Sequence, residues 1–339
     1  MMRIPCTIAA VFLLALLAGQ ACADVERQQE ENLVPIAFSA VVSGDMPLTR
    51  AAHEIGDDAT LQANGFGVFA CYTGLHKYSE SDANASFMYD QKVEWSAANS
   101  HWVYEPLKYW PNGEGEATSV TGENPHYVSF FAYAPYSDGS NPCIPSYILE
   151  QEKGNPWIMY RLSDDPADQV DLLYAQPLLD QTKPQIGSKL EFTFKHALAC
   201  VGENVTISST ATGTGFEVRL KEVKIDYTLT SKGRLVLWNR GAANWSVVQS
   251  EDVVTTRSLT LLSNGSASLP KTFEGNGIFC IPVEASGYPQ KATIHVTYVV
   301  VYDDTSIAPV ERSASKELSL KGLLQEGKKL DINVNLTNI

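Results

Sequence analysis

Four aspartates in one short segment are candidate ligands for a metal ion. Clustered carboxylates supply the oxygen ligands that Ca²⁺ prefers. Their spacing, however, does not match the Asp-x-Asp-x-Asp-Gly loop closed by a glutamate. We therefore interpret the segment as a solvated loop leading into a strand, with calcium binding as the less favoured alternative. The four residues are Asp164, Asp165, Asp168 and Asp171.

His196 is the histidine whose surroundings in the sequence are most informative. On a strand it would share one face with Phe192, Phe194 and Leu198, because side chains alternate between faces with a period of two. A histidine on an apolar face is buried, and buried polar groups are hydrogen-bonded. We interpret it as a core histidine bonded to backbone rather than as a catalytic base.

Motifs typical of common enzyme classes are absent from the sequence. It has no Gly-x-Ser-x-Gly, no Walker-type phosphate loop, no Gly-x-Gly-x-x-Gly and no His-Glu-x-x-His. A glycosidase needs only two opposed carboxylates, so a carbohydrate-active enzyme stays a minor alternative. No catalytic, cofactor-binding or metal-binding residue is predicted, and no cofactor.

An aromatic-rich segment could instead stack on sugar rings. We favour core and edge packing, the commoner fate of such residues in a β-sandwich. The residues are Trp95, Trp102, Tyr104, Tyr109 and Trp110.

The first residues have the layout of a secretory signal, with Arg3 followed by an apolar run over residues 8–18. That run is shorter than the roughly 20 residues of a membrane-spanning helix. Two cleavage sites compete: Ala21-Cys22-Ala23 fits ordinary signal peptidase, and the segment ending at Cys22 resembles a bacterial lipobox. We favour lipidation of Cys22, although Gly19 stands where a lipobox has an aliphatic residue.

The charge of the exported chain argues against nucleic acid as a partner. Removing residues 1–21 leaves 24 basic residues, which is 25 less Arg3, against 39 acidic ones, a net charge of −15. Such a surface repels phosphate backbones. With 44% hydrophobic residues, the chain has enough apolar material for two ordinary cores.

Four cysteines follow the signal and its cleavage site: Cys71, Cys143, Cys200 and Cys280. An oxidising compartment permits disulfides, and four cysteines allow three pairings. All four lie in or near apolar, strand-like sequence, so buried unpaired thiols are an equal alternative.

Short alternating or β-branched runs, separated by Gly, Pro, Asn, Asp and Ser, recur along the whole chain. No stretch has sustained helical periodicity, so we predict an all-β protein. The segment 177–188 holds two prolines and a glycine and few large apolar residues, and we place an interdomain linker there.

The two ends of the exported chain carry the clearest alternation. Near the start, alternate residues from Val34 to Val42 are apolar, which predicts a half-buried strand. Near the end, apolar and polar residues alternate strictly. The apolar residues of that last strand are Leu330, Ile332, Val334 and Leu336.

Arg50 is the only Lys or Arg between Gln28 and His76, and Thr49 and Ala51 flank it. A lone basic residue in an acidic stretch is a natural target for a trypsin-like protease. Taken alone, the pattern favours ordinary first and last strands joined to the fold by loops.

Four phrases in one order suggest a different interpretation of both ends. They are Tyr-Trp-Pro at 109–111, Val-Ser-Phe-Phe-Ala-Tyr-Ala-Pro at 128–135, Asp-Leu-Leu-Tyr-Ala at 171–175 and Phe-Thr-Phe-Lys-His-Ala-Leu-Ala at 192–199. In that order and spacing, they resemble the fimbrillin family (FimA-like, Mfa-like) of surface and pilus proteins of anaerobic Gram-negative bacteria.

The resemblance implies two transthyretin-like β-sandwich domains in tandem. Combined with the secretory signal and the linker, it divides the chain into a signal peptide at 1–21, a propeptide with the first strand at 22–50, an N-terminal domain at 51–183 and a C-terminal domain at 184–339. Lipidation at Cys22 and cleavage between Arg50 and Ala51 by an arginine-specific protease would follow. The strand Leu330, Ile332, Val334, Leu336 would then complete another subunit, because an alternating strand fills an open groove.

We therefore predict a structural or adhesive subunit of a cell-surface pilus and not an enzyme. Its expected partners are other pilin subunits in head-to-tail contact, the processing protease, an outer-membrane lipid anchor and a host glycan or protein. The alternatives are a monomeric surface lipoprotein that binds glycan or host protein, and the carbohydrate-active enzyme.

Overall fold

A computed structural model describes residues 33–43, 55–81, 84–111, 126–145, 155–163, 165–185, 187–210, 215–238, 241–247, 254–284, 287 and 289–336. Nearly all of its regular structure is strand, so the all-β prediction is confirmed. The strands are β1 (Phe38–Val42), β2 (Phe66–Gly74), β3 (Met88–Ser96), β4 (His101–Val103), β5 (Tyr127–Ala134), β6 (Trp157–Arg161), β7 (Leu173–Ala175), β8 (Leu178–Gln181), β9 (Leu190–His196), β10 (Ala199–Ser209), β11 (Phe216–Thr230), β12 (Lys232–Val236), β13 (Asn244–Val247), β14 (Val254–Leu262), β15 (Ala267–Ser268), β16 (Lys271–Glu274), β17 (Ile278–Cys280), β18 (Lys291–Tyr302), β19 (Val310–Ser319) and β20 (Lys329–Leu336). One α-helix, α1 (Asp58–Asn64), and two short 3-10 turns complete the described elements.

The N-terminal half of the chain forms an eight-stranded sheet in the order β1-β9-β7-β5-β2-β3-β4, with β8 also paired to β5. Its centre is buried on both faces. Along β5, Phe130 and Ala132 belong to one core, whereas Phe131 and Tyr133 belong to another. The continuous apolar sequence of β5 follows from this, because a strand covered on both faces needs no polar side.

The C-terminal half forms three smaller sheets. β16, β10 and β17 make one sheet, in which β20 also pairs with β10. β14, β11, β18 and β19 make the second, with β15 beside β11. The third is β13-β12-β6, and it combines one strand from before residue 183 with two from after it.

The connection between the two halves of the chain does not coincide with the predicted linker. Segment 177–188 contains β8, which pairs with β5. β9 lies beyond the predicted boundary, yet it pairs with β1 and β7 in the first sheet. The chain therefore leaves the first sheet between His196 and Ala199, inside what the sequence suggested was one strand. The division into domains at residue 184 stays a prediction.

Helix α1 is hydrogen-bonded to the C-terminal end of β1. Asp57 caps the helix by accepting a hydrogen bond from the Thr60 backbone N–H (2.8 Å), and the Thr60 hydroxyl accepts one from the Asp57 backbone N–H (3.1 Å). This reciprocal capping box satisfies two of the amides that a helix start leaves without partners. Asp58 in the first turn accepts a bond from the backbone N–H of Val42 (2.8 Å).

Cys71, Cys143, Cys200 and Cys280 are buried, and none of the four forms a disulfide. Of the two arrangements left open by the sequence, the structure has the one without disulfides, in which the thiols pack as small hydrophobic groups. Burial raises the pKa of Cys71 to about 12, so this side chain stays a protonated thiol at neutral pH.

Candidate assembly interface

The first strand runs along the edge of the first sheet, in the same direction as β9. Phe38 pairs with Leu190 and Val42 with Phe194 in a parallel register. The backbone N–H of Leu190 donates to Ala37 O (2.8 Å), and that of Ser43 donates to Phe194 O (2.8 Å). The partner of the first strand is therefore the phrase Phe-Thr-Phe-Lys-His.

A second partner holds the residues just before β1. Ile36 N–H donates to Lys108 O (2.9 Å), and Trp110 N–H donates to Val34 O (2.9 Å). The hydroxyl of Tyr104 donates to Ile36 O (2.8 Å). The segment 34–42 is thus bound by β9 along one part and by the Tyr-Trp-Pro segment along another.

Phe38 is the centre of the groove under this strand. Its ring lies 5.5 Å from that of Tyr104, 5.6 Å from Phe192, 6.0 Å from Phe130 and 6.3 Å from Phe66, measured between centroids. Aromatic rings contribute large buried apolar areas. Loss of the strand would leave an aromatic groove open to water.

The predicted alternation of the first strand is present. Val34, Ile36 and Phe38 are at most 5% exposed, and Ala40 and Val42 are half-buried. Arg50, Ala51 and Cys22 lie outside the described residues.

The last strand repeats this arrangement at the other end of the chain. β20 pairs with β10 in parallel, with Ile332 opposite Val205, Val334 opposite Ile207 and Leu336 opposite Ser209. These three side chains are buried and Leu330 is half-buried. The intervening Asp331, Asn333 and Asn335 are exposed.

β1 with β9 and β20 with β10 are the two parallel pairs among the strand pairs that the structure describes, and the remaining pairs are antiparallel. A parallel ladder has evenly spaced, slanted hydrogen bonds. Both terminal strands therefore present the same backbone pattern and the same period of apolar side chains.

A comparison with protein families gives a fimbrillin-like match over residues 49–338. The chain belongs to the fimbrillin-like family. Its fold is similar to that of a fimbrial protein from Bacteroides vulgatus, with 19% sequence identity, a TM-score of 0.59 and coverage of 89% of this chain and 95% of that one.

Other similar solved structures are candidate cell adhesion proteins. The one from Parabacteroides distasonis has 8% identity, a TM-score of 0.49 and coverage of 90% and 92% of the two chains. The one from Bacteroides uniformis has 14% identity, a TM-score of 0.39 and coverage of 85% and 98%. A comparison with curated protein sequences gives no match. Family membership indicates a cell-surface pilus or adhesin subunit with a structural role, which assembles with other pilin subunits.

The phrases that resemble the fimbrillin family also include a buried pair, Asp171 and His196. Asp171 Oδ2 lies 2.7 Å from His196 Nδ1 and accepts a bond from the backbone N–H of Ile55 (3.4 Å). His196 is 3% exposed and Asp171 is fully buried. The prediction that His196 is buried is confirmed, but the hydrogen bond goes to a carboxylate, because β7 and β9 bring the two phrases together.

Two other aspartates of that segment lie on the surface of the fimbrillin. Asp165 and Asp168 are exposed, and Asp164 lies outside the described residues. The described part of the chain contains no group of three or more His, Cys, Asp or Glu that could hold a metal ion. In the same part, no helix has the length and apolar character needed to cross a membrane.

The aromatic-rich segment of the fimbrillin is mostly core. Trp102, Tyr104 and Trp110 are buried, Trp95 is half-buried, and Tyr109 is 40% exposed. Core and edge packing is therefore the correct interpretation for four of the five rings, because Trp95 also packs against Trp102, with ring centroids 5.4 Å apart. Trp102 lies against Phe66, with ring centroids 4.8 Å apart, and so supports the groove of the first strand.

A carboxylate that the sequence did not single out is Asp90 in β3. The pairing of β2 with β3 shifts between Val68 and Ala70, so that two residues of β3 stand opposite one of β2. Asp90 in this bulge has a φ of 46°, which is uncommon for a residue other than glycine. Its Oδ1 accepts a hydrogen bond from the hydroxyl of Tyr133 (2.7 Å).

Burial raises the pKa of Asp90 to about 6 from 3.8, and the bond from Tyr133 offsets part of the rise. Tyr136 also interacts electrostatically with Asp90. In the native state Asp90 holds its proton to a higher pH than in the unfolded chain. Its contribution to the free energy of unfolding is therefore full below about pH 4, falls as the pH rises from about 4 to about 6, and is lower by about 3 kcal/mol above that range.

We predict that Asp90→Asn removes this fall. Urea unfolding of the wild type and the variant at pH 4, 5, 6 and 7 measures it, and the variant should gain stability relative to the wild type as the pH rises. Carboxylates with lowered pKa values, such as Glu217 and Asp226, act in the opposite direction in both proteins and cancel in the difference. A constant difference across this range would contradict the assignment.

Proposed function

We propose that this fimbrillin is a pilus subunit that polymerises by strand exchange. Removal of the chain up to Arg50 would open the aromatic groove under β1, and β20 of a neighbouring subunit would fill it. The observation that carries the proposal is the shared geometry of the two terminal strands, which are parallel edge strands with apolar residues at every second position.

Physical chemistry favours the exchange in two ways. An opened groove exposes apolar rings and the unpaired backbone groups of β9, and an incoming strand satisfies both. Burial of one aliphatic side chain contributes about 1.5–3 kcal/mol, so the apolar residues of β20 form an adequate anchor. The contact joins unlike surfaces of two copies, so it is heterologous and extends as an open filament.

Maturation is the second part of the proposal. Lipidation at Cys22 would carry the precursor to the outer membrane, and an arginine-specific protease would cut between Arg50 and Ala51. The isolation of Arg50 in a stretch without other basic residues supports a single cut there. We also propose that the chain forms two tandem transthyretin-like sandwiches. The proposed adhesion target is a host glycan or protein.

Limited digestion of the purified precursor with an arginine-specific protease tests the proposal. We expect a new N-terminus at Ala51 and a heat-dissociable ladder on unheated denaturing gels. In the Arg50→Lys variant the same protease should give neither product, whereas a lysine-specific protease should restore both. A cut chain that stays monomeric would favour a monomeric surface lipoprotein.

A further inference from the structure

A cleft on the first sheet lies away from both terminal strands. Its volume is about 340 Å³, including the part open to solvent. The bulge of β3 forms one side, and Trp157, Ile158 and Met159 of β6 form the other. β-bulges re-aim side chains and are frequent next to functional sites. Here the bulge brings Tyr89 and Asp90 into the cleft wall.

The lining of the cleft combines apolar walls with one acid. Phe69, Tyr89 and Trp157 contribute aromatic rings, and Met159 contributes a flexible thioether. Among the described residues that line it, Asp90 is the single carboxylate. A pair of opposed carboxylates, which glycoside hydrolysis requires, is therefore not formed by these residues.

Asp90 lacks a cation of its own in the part of the chain that the structure describes. Its hydrogen-bond donor there is the neutral hydroxyl of Tyr133. Lys92, two residues further along β3, pairs instead with Glu94 (2.5 Å). An ionised carboxylate that is largely removed from water is stabilised most by a charged donor.

Gly67 of β2 makes room for this arrangement. A Cβ at this position would lie 2.7 Å from Cζ of Tyr133 and 2.8 Å from Oδ1 of Asp90, closer than such atoms approach in real proteins. The backbone of β2 therefore reaches the acid and its tyrosine donor only because residue 67 has no side chain.

We propose that this cleft binds the basic side chain of a protein partner, a lysine or arginine whose alkyl stem packs against Tyr89 and Met159 and whose charged end meets Asp90. The ring of Trp157 already carries a cation of this chain, since the guanidinium of Arg234 lies 3.9 Å from its centroid. Long basic side chains bury their stems along apolar surface and are attracted to aromatic faces.

The lining also holds the hydroxyls of Tyr89, Tyr133 and Ser137, but the Tyr133 hydroxyl already donates to Asp90 and the Ser137 hydroxyl to Ile144 O, so the lining is poorly suited to the several hydroxyls of a sugar ring. The strongly acidic chain also favours a basic partner surface.

Ligand-observed NMR titration of the full chain at pH 7.5 tests the proposal. The probes are Nα-acetyl-lysine methylamide, its Nε-acetylated form, and methyl glycosides. We expect saturable binding of the first probe only. Asp90→Asn should weaken it about 10-fold or more, the effect of losing one charge-assisted hydrogen bond.

Two further variants separate binding from folding. Glu94→Gln changes an exposed carboxylate on the same strand and should bind the lysine probe as the wild type does. Gly67→Ala displaces Tyr133 and Asp90 and should weaken binding, while thermal unfolding reports whether the fold is retained. Equal binding of the Nε-acetylated probe, binding of glycosides instead of the amine, or unchanged affinity in Asp90→Asn would each overturn the proposal.

Discussion

Replacing His196 with alanine is expected to lower the free energy of unfolding by about 3–5 kcal/mol. The substitution removes the buried partner of Asp171 and leaves a fully buried carboxylate with the Ile55 amide as its remaining described hydrogen-bond donor. Taking away one member of a buried polar pair leaves the full desolvation cost of the other. Urea unfolding at pH 7, followed by circular dichroism, measures the loss.

The matched control is His295→Ala. His295 Nε2 lies 3.1 Å from Asp226 Oδ2, but this pair is on the surface, with the histidine side chain 45% exposed. Exposed pairs contribute about 0–1 kcal/mol, so this variant should be close to the wild type. A double-mutant cycle with Asp171→Asn then isolates the coupling within the buried pair. Equal losses in the two single variants would contradict a special role for Asp171 and His196.

The location of this pair connects it with the assembly interface. His196 ends β9, the strand that holds β1, and Asp171 also bonds Ile55, just beyond the proposed cleavage site. Residues that stay in the chain after cleavage are therefore fixed next to the groove. We infer that the pair keeps β9 in place when β1 is absent.

The sequence predicts the terminal strands well, because their signal is local. Alternation with a period of two is visible from residues 34–42 and 330–336 alone, and both segments have the expected buried faces. The same alternation does not identify β19, because the residues of that strand are mostly exposed and its charged side chains interrupt any apolar pattern. An edge strand protected by Lys and Glu side chains lacks the alternating hydrophobic pattern from which a strand is predicted.

What the sequence could not predict depends on contacts between distant segments. The parallel direction of β1 and β20 is fixed by β9 and β10, and the pairing of β6 with β12 joins segments on both sides of the predicted linker. The Asp171–His196 bond requires β7 and β9 to be neighbours. Asp90 lies in the cleft wall because of the bulge in β3. No residue type in that strand predicts a bulge at this position.

Strand exchange predicts a specific neighbour for the exposed residues of β20. In the precursor, Val41 of β1 stands opposite Thr193 of β9, and Asn335 of β20 stands opposite Ser208 of its own β10. If β20 of one subunit replaces β1 of another in parallel, its outward residues come to lie beside Thr193 of the acceptor. Adjacent strands bring Cα atoms within the roughly 4.4–6.8 Å that a disulfide spans.

The measurement uses two populations of the protein. One carries Thr193→Cys, and the other carries Asp331→Cys, Asn333→Cys or Asn335→Cys in turn, so that each possible register is sampled. The four native cysteines that the structure describes are buried and contribute little background, and Cys22 is changed to Ser in every variant so that the uncut proteins can serve as a control. Ser246→Cys, an exposed position on β13, replaces Thr193→Cys in the control mixture.

After arginine-specific cleavage, mixing and mild oxidation, we expect one of the three donor variants to form a disulfide-linked dimer with the Thr193→Cys acceptor. The uncut proteins and the Ser246→Cys control should form none. Polymers that assemble without any of these three links, or equal linking before cleavage, would contradict strand exchange at the β1 groove.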